Sequence, residues 1–216
     1  MKISILILAL SLPFLAACDH TTNPAIVDAT QAQLIPTVSN YQAMTFMPLA
    51  NPSTRVEDIG AADPVFDFGN DGKSYYKAFK LPRSDKPYAI EVCTYTTHPG
   101  RGTYFRIFLP SFVFLNEAKE PTSLPEYQGP SYVNGDEAFI QRYVQFLIKP
   151  DTKARYMIVY TSRESQLNGV MATYGQPGVA YAAGLFIPVS GPKAALKGSP
   201  DGKIGVTIKE PTPKEE

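Results

Sequence analysis

The sequence predicts a mainly β protein, an antiparallel sandwich of jelly-roll type with one or two short helices. Three observations point that way. From Asp63 onward the chain breaks into short runs rich in aromatic and β-branched residues, bounded by Pro, Gly, Asn or Asp. Two of the runs alternate with apolar side chains on both faces, which suits a sandwich whose outer side is partly covered. Only one stretch carries a well-formed helix signature. A chain of 216 residues with 44% hydrophobic content is long enough for one good-sized domain with a real core.

The N-terminus carries an address. Lys2 opens a short basic region, and Ile3–Ala17 is apolar apart from Ser4, Ser11 and Pro13. Spanning a bilayer core of ~30 Å takes about 20 helical residues. Residues 1–17 are too short for that and fit a secretory signal. They end in Leu15-Ala16-Ala17-Cys18, a lipobox: small residues suit the signal peptidase, and the Cys18 thiol takes the diacylglycerol. Three acyl chains, at ~0.8 kcal/mol per buried methylene, make such an anchor effectively permanent. Asp19 follows the cysteine and favours inner-membrane retention by the sorting rule of enteric bacteria; the outer membrane is the alternative. The expected location is periplasm-facing, with the membrane as a partner through the lipid on Cys18.

Residues 18–60 read as a lipid-anchored tether, partly docked. Asn23-Pro24 should cap a short helix through Gln33. Leu34–Leu49, with Ile35, Val38, Tyr41, Met44, Phe46 and Met47, is apolar enough to lie on the domain. The sandwich is expected over 61–209. Phe66-Asp67-Phe68 precedes a turn at Gly69–Gly72. Strands are then expected at Ser74–Leu81, Tyr88–Thr96, Thr103–Leu109, Ser111–Leu115, Ala138–Ile148, Arg155–Thr161 and, last, Lys203–Lys209. Ile140, Val144, Phe146 and Ile148 share one face; Tyr156, Ile158 and Tyr160 oppose Met157 and Val159. Lys149–Lys153 reads as the turn of a hairpin. Thr161-x-x-Glu164 reads as a capping box for a helix through Leu167, Val170, Met171 and Tyr174 that stops at Gly175. Pro177–Gly184 is expected to add a turn or two of helix, and 210–216 is a frayed tail.

Charge and motif content exclude several classes. Loss of residues 1–17 removes only Lys2, leaving 19 basic against 20 acidic residues, so the clustered positive charge of a nucleic-acid binder is lacking. With Cys18 lipidated, Cys93 is a lone thiol, expected to be a buried small hydrophobe. His20 and His98 sit in no ligand cluster, so no metal and no cofactor are expected. There is no Gly-x-Ser-x-Gly elbow and no favoured carboxylate pair; no catalytic residue is assigned and the chain is not expected to be an enzyme. Binding has more support, because 13 tyrosines without Trp offer apolar faces with polar hydroxyls. The loop Tyr127-Gln128-Gly129-Pro130-Ser131-Tyr132 is the preferred contact surface, and His98–Gly102, with its cation at Arg101, is second.

Read in order, five patches carry a family resemblance. They are Phe108–Asn116, Pro121-Thr122-Ser123, Val159–Glu164, Pro177–Gly184 and Asp201–Ile208. Together they span roughly Ser74–Lys209, and the chain resembles the maltose-operon periplasmic protein family. That resemblance implies a non-enzymatic periplasmic protein associated with maltose or maltodextrin uptake, and it supplies no catalytic motif. Two departures stand out: the lipobox, and an end at Glu216 without the Pro/Ala linker and helical tail of longer members. A role depending on that tail is not carried over. The expectation is a lipid-anchored accessory or interaction protein, linked to carbohydrate uptake. A carbohydrate- or cell-wall-glycan-binding module and an accessory lipoprotein of envelope secretion or pilus assembly are the alternatives. Its partner would be an envelope transport or assembly protein, or a glycan.

Overall fold

The computed structural model describes residues 21–97, 105–134, 140–173, 178–182, 185–189 and 193–210. Asn23 caps the first helix, accepting the Ala25 N–H at 2.9 Å, with Pro24 in the first turn where its missing donor costs nothing. In chain order the elements are α1 (Pro24–Gln33), β1 (Met47–Pro48), β2 (Ser53–Ile59), β3 (Val65–Asp67), β4 (Lys73–Lys80), β5 (Tyr88–Thr97), β6 (Phe105–Ile107) and β7 (Ser111–Leu115). They continue with β8 (Glu126–Asn134), β9 (Ile140–Ile148), β10 (Tyr156–Tyr160), α2 (Arg163–Asn168), β11 (Val170–Thr173), β12 (Gly178–Ala182), β13 (Leu185–Val189), β14 (Lys193–Gly198) and β15 (Gly202–Lys209).

Two sheets form the sandwich. The smaller runs β1-β4-β10-β7, with β3 also on β4. The larger runs β11-β14-β6-β5-β15-β2, with β9 on the free side of β5 and β8 outside it. Pairing is mostly antiparallel, but β1 lies parallel to β4 and β14 parallel to β6. The expected mainly β sandwich with short helices is what forms, with those two parallel pairings added to it. Between the sheets lies the main core: Phe79, Ile90, Val92, Phe114, Phe146, Met157, Val159, Ile204 and Val206 are all buried. Each such side chain contributes ~1.5–3 kcal/mol on leaving water.

The alternation in β10 divides as expected. Met157 and Val159 face the main core, while Ile158 and Tyr160 join a second cluster with Phe66, Tyr76 and Leu115 on the outer side of the small sheet. The leader covers that outer side. Met44 is buried within the cluster, and Val38, Tyr41 and Phe46 pack against it. Lys119, in the left-handed conformation (φ 58°), donates from Nζ to the Met44 and Gln42 carbonyls and lies 4.9 Å over the Phe46 ring. α1 is tied to α2 through Arg163 and Asp28 at 2.7 Å.

Four expectations change. β2 pairs with β15 along seven residues, so the sandwich starts before residue 61 and residues 21–60 are largely integral to it. The Lys149–Lys153 turn exists, with Thr152 and Lys149 hydrogen-bonded. It carries the chain from one sheet to the other, because β9 pairs with β5 and β8 while β10 pairs with β4 and β7. The α2 cap is Ser162, whose Oγ accepts the Ser165 N–H, and Gly169 at φ 51° stops the helix. Val170 and Met171 therefore lie in β11. Lastly, Gly178–Ala182 is a strand paired with Leu185–Val189, not a helical turn.

Candidate functional site

At the end of β5 where Thr97 lies, the sandwich opens into a cleft of about 880 Å³. Its inner wall is built by an unusual register choice. Tyr75 and Phe79 of β4 pack on the main core, and Lys77 lies between them in the same alternation with only 15% of its side chain exposed. A charge there is tolerable only if paired. Lys77 Nζ meets Asp63 Oδ1 at 2.6 Å and Glu57 Oε2 at 3.6 Å, and Glu57 is also bound by Arg55. The Arg55 hydrogen bond, with the fields of Arg55 and Lys77 behind it, holds the Glu57 carboxyl below its ordinary range against the opposing effect of burial.

The rim is looser. Arg106 and Asp201 stand 3.9 Å apart, as do Lys203 and Asp58, and all four side chains are at least two-fifths exposed. Ion pairs of that kind are worth about 0–1 kcal/mol, so a ligand can exchange partners with them at little cost. Tyr95 adds a half-buried ring. Its hydroxyl lies across Gly205, where a Cβ would come within 3.1 Å, so the missing side chain is the ring's bed. Burial foremost, then the neighbouring Cys93, raises the Tyr95 phenol. Gln141 completes this wall and accepts the Tyr143 hydroxyl. The arrangement offers carboxylates, a guanidinium, an ammonium, an amide and one aromatic face, which together recognise a polar, hydroxyl- or amide-bearing ligand.

Next to the cleft, Arg142 pairs directly with Thr94 in the β5–β9 ladder. Arg142 Nε and Nη1 and the Thr94 Oγ1 are buried without a hydrogen-bond partner. Cys93 is buried as expected, its Sγ 3.9 Å from Gln141 Oε1, and burial raises its thiol further from ionisation.

The sequence-predicted contact residues fall as follows. His98 and Arg101 lie outside the described residues, as does Cys18, but Thr97, the last residue of β5, and Arg106, the middle residue of β6, both line the cleft. Tyr132 pairs with Arg142, one residue from Gln141. Tyr127 sits away from it, half exposed and tilted against the Phe146 ring at 5.5 Å. The expected Tyr127–Tyr132 loop is in fact part of edge strand β8, bulged between Gln128 and Ser131 beside a cis Gly129-Pro130 bond. Sequence reasoning missed Glu57, Asp63, Lys77, Arg106, Asp201 and Lys203. The one available signal was Lys77, a charge at an apolar step of the β4 alternation. Among the described residues, no group of three or more His, Cys, Asp and Glu is placed to hold a metal ion, and no helix is long and apolar enough to cross a membrane.

No family model, curated protein or solved structure shows significant similarity to the chain.

Proposed function

We propose that the protein is a lipid-anchored, periplasm-facing accessory or interaction protein of the cell envelope that engages its partner through the cleft beside Thr97. The observation that carries this reading is the cleft itself: a paired, partly buried charge cluster at its inner wall and loosely paired Arg106, Asp201, Lys203 and Asp58 at its rim. A fixed polar floor with exchangeable rim partners suits reversible recognition, in which few groups must be reordered on binding. The lipobox at Cys18 supports the envelope location. The ordered resemblance to the maltose-operon periplasmic family supports a link to carbohydrate uptake.

A glycan is the ligand class favoured by the lining, since Tyr95 offers a stacking face and Gln141, Asp58 and Arg106 offer planar hydrogen-bonding groups. Isothermal titration with maltodextrins and peptidoglycan fragments tests it, with Arg106→Ala as the comparison. Heat from either panel that Arg106→Ala abolishes supports glycan binding; silence in both retires it. A protein partner, from a transporter or from secretion or pilus machinery, is then read by co-purification from membranes with wild type and Arg106→Ala. The anchor has its own test: Cys18→Ala should release the protein from membranes. Membrane fractionation that is unchanged, without incorporation of labelled palmitate in the wild type, would contradict it.

A further inference from the structure

The described chain is fixed to the fold almost as soon as it leaves Cys18. The Thr22 N–H donates to the Leu167 carbonyl at the end of α2, at 2.8 Å, and Asn23 then caps α1. Only Asp19, His20 and Thr21 separate Cys18 from that hydrogen bond. At about 3.6 Å per residue, four steps of chain reach ~14 Å at most. We infer that the α1/α2 end of the sandwich rests directly on the bilayer surface, with the cleft at this membrane-proximal end and the partner met there. This inference rests on the lipidation reading of Cys18.

Exposed apolar side chains fit a lipid surface as the occupant of that end. Ile26, in the first turn of α1, is 61% exposed, and Met171, four residues past Leu167, is 40% exposed. Both are large apolar side chains close along the chain to the point where the leader enters the fold. Asp28 of α1 and Arg163 of α2 neutralise each other in an ion pair that ties the two helices together. The cleft shares this end: α2 packs on β14 with Gly198 against the Ser165 carbonyl, β14 pairs with β6, and Arg106 of β6 lines the cleft. At the other end of β5, about 10 strand residues or ~33 Å away, a second hollow is lined by Arg83, Arg155, Lys149, Lys153 and Glu117, with both arginines paired to Glu117 and Lys149 to Glu126. The short link holds that end away from the bilayer.

The test uses the full-length acylated protein in vesicles of phosphatidylethanolamine and phosphatidylglycerol that carry a headgroup-located nitroxide quencher. A fluorophore is placed in turn at Ile26→Cys, Met171→Cys and Lys153→Cys. Quenching several-fold stronger at 26 and 171 than at 153 is the expected result. A Gly/Ser insertion of about twelve residues between His20 and Thr21, with a root-mean-square span near 20 Å, should bring the values at 26 and 171 down toward that at 153 while the protein still floats with the vesicles. Protein that floats but is quenched equally at all three positions overturns the apposition and leaves the anchor standing. Protein that does not float overturns the anchor, and the apposition with it.

Discussion

If the leader is a structural layer of the sandwich, removing one side chain from it should unsettle the whole domain. Met44 is the place to ask. It is 3% exposed within the cluster of Phe66, Tyr76, Leu115 and Ile158, and its carbonyl is held by Lys119. Met44→Ala removes roughly 1.5–3 kcal/mol of burial. A cavity not refilled adds a further one to two at ~24 cal/mol per Å³, for a total of about 3 kcal/mol. With a urea slope of ~2 kcal/mol/M, the unfolding midpoint should fall by about 1.5 M at an unchanged slope. Ile35→Ala is the internal control, because that side chain is 77% exposed a few residues away and should shift stability by no more than ~0.5 kcal/mol. The measurement is urea unfolding of the mature domain followed by tyrosine fluorescence and far-ultraviolet circular dichroism together. Equal midpoints for the two variants would refute the reasoning. The leader would then be the loose tether its composition suggests, and the argument for a membrane-apposed domain would lose its fixed starting point.

Three other outcomes follow from the same packing. Gly198→Ala would place a Cβ 2.2 Å from the Ser165 carbonyl oxygen; α2 must move, and thermal unfolding should register a loss of about 1–3 kcal/mol. Burial lifts the Tyr88 phenol to about 12 from an ordinary value near 10. Because the folded-state value is the higher one, its contribution is whole below pH ~10 and is lost as pH rises through about 12. Urea midpoints between those pH values should therefore fall less steeply in Tyr88→Phe than in wild type. Arg142→Met replaces a buried guanidinium with two unpartnered nitrogens and should raise stability by about 1–3 kcal/mol; a loss of that size would mean that the guanidinium is engaged in solution.

The sequence carried the layers better than the connections. Apolar residues on both faces of Tyr156–Tyr160 required something to cover the outer side of that strand, and Leu34–Leu49 was apolar enough to do it; both readings follow from burial alone. The Lys149–Lys153 turn was equally visible, but its hydrogen bonds look the same whether the next strand pairs with the last or crosses to the facing sheet. Local sequence holds no term that distinguishes the two. The α2 cap falls one residue later than expected because Thr161 and Ser162 are both good caps, and the helix is shorter because Gly169, at φ 51°, stops it while the helical spacing of Leu167, Val170, Met171 and Tyr174 runs on past that glycine. Most of the cleft stayed hidden for a related reason. Glu57, Asp63, Arg106, Asp201 and Lys203 come from four separate stretches, and each alone resembles an ordinary surface charge.

Why the opening lies at that end follows from where the chain changes sheets. It leaves the larger sheet after Ile59 and again after Ile107, reaching the smaller one at Val65 and Ser111. The second crossing is sealed: Phe108 is fully buried, and its Cβ lies where any side chain at Gly202 would have to go, 2.7 Å from a Cβ built there. Beside the first crossing stand Lys77, Glu57 and Asp63. An apolar residue at 77 would let the sheets close there as they do around Phe79. A paired charge cannot give up its polar surroundings without a desolvation cost of several kcal/mol per ion. The cleft is thus held open by electrostatics and floored by a tightly packed crossing, so its shape does not depend on the rim. Arg106→Ala should consequently alter recognition while leaving unfolding within ~0.5 kcal/mol of wild type, whereas Lys77→Met should be felt by both.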